Sequence, residues 1–202
     1  MTTFTRRFFV TRAMGGGCFA AVQPIARVVA QPAAHVRVEL FRGMGNVFSR
    51  GLDTLAQTIN RNGYSARVHA HGAWQSTVSQ IVARRARGER DVIVLIGHSL
   101  GANATLLAAD ELSRQDIQVA LIVTFDATRP RPVPRNVLRL FNFYQNNGFG
   151  RRIDPGPGFR GDLNNVDLTA DRSFNHWTID ESPRLHRKVM RQIVYVENKR
   201  PA

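Results

Sequence analysis

The sequence predicts a three-layer α/β/α sandwich on a mostly parallel sheet, with no sizeable cap domain. Three observations carry that prediction. Apolar β-branched runs alternate with amphipathic helical stretches from residue 35 onward. One run, Val92 to Ile96, ends abruptly in Gly97-His98-Ser99-Leu100-Gly101. The chain has 202 residues, 43% of them hydrophobic, enough for one domain with a real core over 31–202.

The elements follow in order. His35 to Phe41 alternates apolar and polar, with Val36, Val38 and Leu40 on one face, as a core strand does. A loop, Arg42 to Asn46, leads to a helix from about Ser49 that repeats Leu52, Leu55, Ala56 and Ile59 at helical spacing. Asn62-Gly63 stops it. Tyr64 to Ala70 reads as a second strand and Trp74 to about Ala86 as a second helix. The third unit is strand 92–96 with helix 101–113. Gln118 to Phe125 and Val137 to Tyr144 complete five expected strands. Ser182-Pro183 opens a last helix, serine as N-cap and proline in the first turn, with Leu185, Val189 and Ile193 on one face. Residues 128–136 form a proline-rich loop. Residues 146–172, rich in Gly, Asn and Pro, show no periodicity and are expected to line or cover a site.

The chemistry concentrates at Ser99. A serine hydroxyl is a weak nucleophile that must stand exposed beside a base. A sharp strand-to-helix turn lifts it off the sheet, and glycines two residues either side leave room for crossing backbones. The helix start also offers the Leu100 amide to a developing oxyanion. A base and an orienting carboxylate must then be found. Of six histidines, His98 lies inside the turn, pointing away from the serine. His35 lies at the wrong end of its strand, and His186 is expected on a solvated helix face. His69 and His71 end the second strand at what could be a pocket rim. His176, in the loop before the last helix, is where an open sheet delivers a residue to the carboxyl ends of its strands. For the acid, Asp126 ends the strand next to the nucleophile strand, with Asp154, Asp162 and Asp167 on the long loop as rivals. Gly43-Met44-Gly45 is placed to give a second oxyanion amide, from Met44.

These residues resemble those of the α/β-hydrolase superfamily, on its small lipase- and esterase-like side. The order Ser99, Asp126, His176 is the one that superfamily uses. Arg42-Gly43-Met44 is similar to a lipase His-Gly-Met oxyanion loop with arginine in place of histidine, and Asp126-Ala127-Thr128-Arg129-Pro130 is similar to an Asp-Pro-Ala-x-Pro segment of some lipases. The resemblance spans residues 36–196 and implies a serine hydrolase of carboxylic esters or thioesters with an open cleft. Its substrate would be a small-molecule or lipid ester, and it would act as a monomer. The replaced histidine leaves a second reading, a catalytically silent scaffold that binds a lipid or cell-envelope partner. No metal cluster, phosphate-binding glycine loop or dinucleotide fingerprint is present in the sequence, so no cofactor is expected.

Residues 1–30 carry Arg6, Arg7, Arg12 and Arg27 and no acid. Thr5-Arg6-Arg7-Phe8-Phe9-Val10 resembles a twin-arginine export signal, followed by a short apolar stretch and Val28-Val29-Ala30 as a cleavage site. The chain is therefore expected to be exported, periplasmic or secreted. Cys18, the only cysteine, lies in this segment and excludes an intramolecular disulfide. The formal charge of +13 becomes +9 once those four arginines are subtracted. The remaining arginines are scattered rather than striped with aromatics, which argues against nucleic acid and leaves an anionic membrane surface as a partner.

Overall fold

The structure, a computed structural model, describes residues 35–44 and 49–199. The 1–30 export segment, Cys18 and the end of the glycine loop lie outside the described residues. Among the described residues six strands form one sheet: β1 (Val36–Arg42), β2 (Ser65–Ala70), β3 (Val92–His98), β4 (Leu121–Phe125), β5 (Arg139–Tyr144) and β6 (Asp162–Asp167). Their order is β2-β1-β3-β4-β5-β6, and every pairing is parallel. Among the described residues four α-helices accompany them: α1 (Arg50–Arg61), α2 (Trp74–Ala86), α3 (Leu100–Arg114) and α4 (Pro183–Asn198).

Alternation along the strands sorts the core into two layers. Val36, Val38, Leu40, Val94 and Ile96 face α1 and α4, packing on Leu52, Leu55, Ile59, Leu185, Val189 and Ile193. Phe41, Ile93, Leu95 and Ile122 face the other way, onto α2 and α3 through Val78, Ile81, Leu106 and Leu112. This is the expected sandwich, and no large cap interrupts it. At the start of α4 the Ser182 hydroxyl accepts from the Leu185 amide at 3.4 Å, as the serine-proline pair predicts.

Two expectations need correction. The 146–172 stretch is not without secondary structure, because β6 lies in it. Its sequence Asp-Leu-Asn-Asn-Val-Asp hides the strand: it is an edge, half-exposed, and gains its place through backbone pairing to β5 and the Asn165 side chain, which accepts from the Ile153 amide and donates to its carbonyl. The fourth strand starts only at Leu121; Val119 makes an isolated bridge to Val137. The crossovers between β4, β5 and β6 contain no helix. Irregular chain carrying Val133, Val137 and Ile153 covers the α3 side of the sheet instead, with Val133 bridged to Pro155.

Candidate active site

Because β2 and β3 lie on opposite sides of β1, the sheet order reverses there, and a crevice opens beyond the strands' carboxyl ends. Ser99 stands in it, between β3 and α3, at φ 56° and ψ −119°, a conformation costing about 1–3 kcal/mol elsewhere in a chain. Neighbouring backbone holds it there: the Ser99 amide donates to the Phe125 carbonyl at 2.9 Å. The turn closes so tightly that a Cβ on Gly101 would lie 1.9 Å from the Phe41 carbonyl oxygen, and one on Gly97 2.3 Å from that of Gly101.

The His176 Nε2 lies 3.1 Å from the Ser99 Oγ, and His176 Nδ1 lies 3.1 Å from Asp126 Oδ2. With Nδ1–H donating to the carboxylate, Nε2 is left to accept the serine proton. Asp126 sits just past β4 with φ 47°, a left-handed turn that aspartate tolerates. Its second oxygen accepts from the Gln145 amide at 2.8 Å, so both oxygens are engaged while the carboxylate is buried. The three rivals lie elsewhere. Asp154 faces Arg152, Asp162 pairs with Arg139 at 2.8 Å, and Asp167 accepts from the Thr169 amide and hydroxyl, which hold its carboxyl below the usual range.

Leu100 and Met44 both line the cavity beside Ser99. Leu100 is the first residue of α3, so its amide has no acceptor within the helix. Arg42, where the resembling lipases carry histidine, turns to an ion pair with Asp53 of α1.

His98, inside the turn, does more than sequence reasoning assigned it. Its Nε2–H donates to the His176 carbonyl at 2.7 Å. Its Nδ1 lies 2.7 Å from the Ser49 Oγ, which in turn accepts from the Gly43 amide at 3.0 Å. One buried imidazole thus ties the glycine loop, the start of α1 and the loop of His176 together. Burial and then the neighbouring His176 push its pKa down to about 4, so it is neutral. Against it, 3.8 Å from Nδ1, lies Asp180, wholly buried with no hydrogen bond on either carboxyl oxygen. Burial raises Asp180 to about 7; the amides of Asp180 itself, Leu52 and Gly51 offset only part of it. His186 is also buried, not solvated: its ring is held 2.5 Å from the Asp180 carbonyl, and burial lowers its pKa. His69 meets Glu39 at 2.6 Å and His71 the Gly43 carbonyl at 3.3 Å, and neither lines the cavity.

The loop that carries His176 has further anchors. Gln145 donates to the Phe174 carbonyl at 3.0 Å, and Asp171, lowered to about 2 by Ser173 and then Arg184, fastens the loop to α4. The His176 ring contacts both Phe149 at 4.7 Å and Trp177 at 5.1 Å between centroids, and those two rings also meet each other edge-on at 6.2 Å. Both are half-exposed, and with Met44 they form an apolar rim on a cavity of about 560 Å³. Among the described residues no group of three or more His, Cys, Asp or Glu could hold a metal ion, and no helix is long and apolar enough to cross a membrane.

No protein-family model matches this sequence, and no curated protein does either. Solved structures do. The product of a Listeria innocua gene superposes with a TM-score of 0.56 at 11% identity, over 83% of this chain and 96% of that one. A structure from work on two metagenome-derived lipolytic enzymes, LipS and LipT, gives 0.50 at 14% identity, over 82% and 95%. The type II thioesterase BorB, from the borrelidin biosynthetic cluster, gives 0.50 at 10% identity, over 81% and 94%. At such identities the likeness defines architecture. The chain has the α/β-hydrolase fold, with an open sheet and no large cap.

Proposed function

We propose that this protein is a serine hydrolase that cleaves carboxylic esters or thioesters through an acyl-enzyme. The observation that carries the reading is the relay from Ser99 through His176 to Asp126, with both hydrogen bonds at 3.1 Å. The lipolytic enzymes and the thioesterase of the same fold support the substrate class. Ser99 Oγ attacks the carbonyl carbon as its proton passes to His176 Nε2, and Asp126 stabilises the imidazolium. The Leu100 and Met44 amides receive the oxyanion. His176 then returns the proton to the departing alkoxide or thiolate. Water, deprotonated by His176, attacks the acyl-enzyme carbonyl; the acyl–Oγ bond breaks as His176 returns that proton to Ser99 Oγ, and the carboxylic acid leaves. Export through residues 1–30 is part of the same proposal.

Ser99→Ala is expected to lower turnover of a short-chain nitrophenyl ester about ten-thousandfold or more. A fluorophosphonate probe is expected to label the wild type once, at Ser99. An unchanged rate in the variant sinks the proposal, and a folded wild type that takes no label would favour a silent binding scaffold.

A further inference from the structure

We propose that the cavity beside Ser99 holds a built anion subsite, formed by Arg129 and Arg151, that selects esters carrying a phosphate or carboxylate together with an apolar chain. This rests on the hydrolase reading and names the substrate class within it. Both arginines line the cavity, and no carboxylate does. Ten other arginines of the described chain lie against an acid, among them Arg42, Arg139 and Arg184. Arg129 and Arg151 are among the eleven described arginines that do not, and of those eleven only these two line the cavity. Their charge is left for something that enters the cavity.

Their backbones are also fixed in place. The Arg151 amide donates to the Ala127 carbonyl at 2.9 Å, and its carbonyl accepts from the buried Asn142 side chain at 2.9 Å. Its Nη1 donates to the Gly148 and Gly150 carbonyls at 2.6 and 2.7 Å, which aim the guanidinium without neutralising it. Across the cavity lining, Asn103 in the first turn of α3 accepts from the Arg129 amide at 3.0 Å and donates to the Thr128 hydroxyl at 2.9 Å. A guanidinium binds phosphate or carboxylate through paired charge-assisted hydrogen bonds. Met44, Phe149 and Trp177 give the same cavity an apolar wall, so the ligand that satisfies both is an amphiphilic anion.

The test uses three chromogenic esters of one chain length: neutral 2-nitrophenyl hexanoate, 4-hexanoyloxy-3-nitrobenzoate with its carboxylate on the leaving group, and the mono-4-nitrophenyl ester of adipic acid with it on the acyl end. In the double variant Arg129→Gln/Arg151→Gln, the kcat/KM ratio of one anionic ester to the neutral ester is expected to fall about tenfold. Which ester loses its advantage tells the side on which the anion sits. Arg187→Gln, on the exposed face of α4, is expected to leave both ratios as in the wild type. Octyl phosphate titrated calorimetrically into Ser99→Ala is expected to bind, and to lose about tenfold when both arginines are also replaced. Ratios that are the same in wild type and double variant overturn the proposal. So does octyl phosphate binding that ignores the arginines, even if no ester is turned over and the hydrolase reading itself has failed.

Discussion

Gly101 shows how a single hydrogen atom decides the site. Its missing side chain is where the Phe41 carbonyl passes, 1.9 Å from a would-be Cβ, and that obstacle is backbone that cannot swing aside. Gly101→Ala is expected to cost about 3 kcal/mol or more of stability, read as a drop in the urea midpoint, because β1 and α3 must separate. Asp180 and His98 make a second claim at this scale. Between about pH 4 and 7 the folded chain keeps a proton on Asp180 that the unfolded chain, near 3.8, has released, so this contribution falls as pH rises. Between about 4 and 6.5 the folded chain keeps His98 neutral while the unfolded chain would protonate it, so that contribution rises with pH, and buried His186 adds to it. The two slopes oppose. Asp180→Asn leaves the histidine slope alone: Tm should climb from pH 4 to 6.5 and exceed the wild type most above pH 7, where the native protein must bury an anion. Superimposable Tm profiles would refute this. The serine, histidine and first aspartate were legible because each sits at a strand or helix boundary with a distinctive sequence. Ser49, His98 and Asp180 were not, since their meeting depends on three segments far apart in the chain.

At the level of elements, the loop that carries His176 depends on partners outside it. His98 on β3 holds the His176 carbonyl and, through Ser49, the glycine loop after β1. A displacement near 1 Å in such a constellation can cost about a hundredfold in rate. His98→Ala is therefore expected to lower kcat about ten- to a hundredfold with little change in KM. Gln, whose side-chain amide can still donate to that carbonyl, should recover part of it. Loss in KM alone would contradict a positioning role. Most elements were readable from periodicity: β1, α1, α3 and α4 have their apolar residues at the spacing their burial requires. β6 was not, because an edge strand needs no apolar signature when backbone pairing and asparagine side chains hold it. The helix-free crossovers were likewise obscure, since Val133, Val137 and Ile153 bury singly and leave no period.

Over the whole molecule, length and alternation pointed to the layered architecture, but the sheet order β2-β1-β3-β4-β5-β6 is a tertiary choice that local pattern does not encode. The net positive charge acts at this scale too. If residues 1–30 are removed, the formal charge is +9, and attraction of an anionic ester should weaken as ions screen it. Raising NaCl to about 0.5 M is expected to lower kcat/KM for the anionic ester of the preceding test and to affect the neutral one far less. Equal salt responses would show that long-range charge does not assist capture. The turn at 149–151 has its own consequence. Phe149 packs at a tilt against the His176 ring, Gly150 abuts the Asp126 carboxylate so closely that a Cβ would lie 2.2 Å from its oxygen, and Arg151 lines the cavity. Under the proposed mechanism and anion subsite, three successive residues would serve reactivity and selectivity at once. On that reading, swapping or lengthening this segment to retune preference would disturb proton transfer in the same stroke.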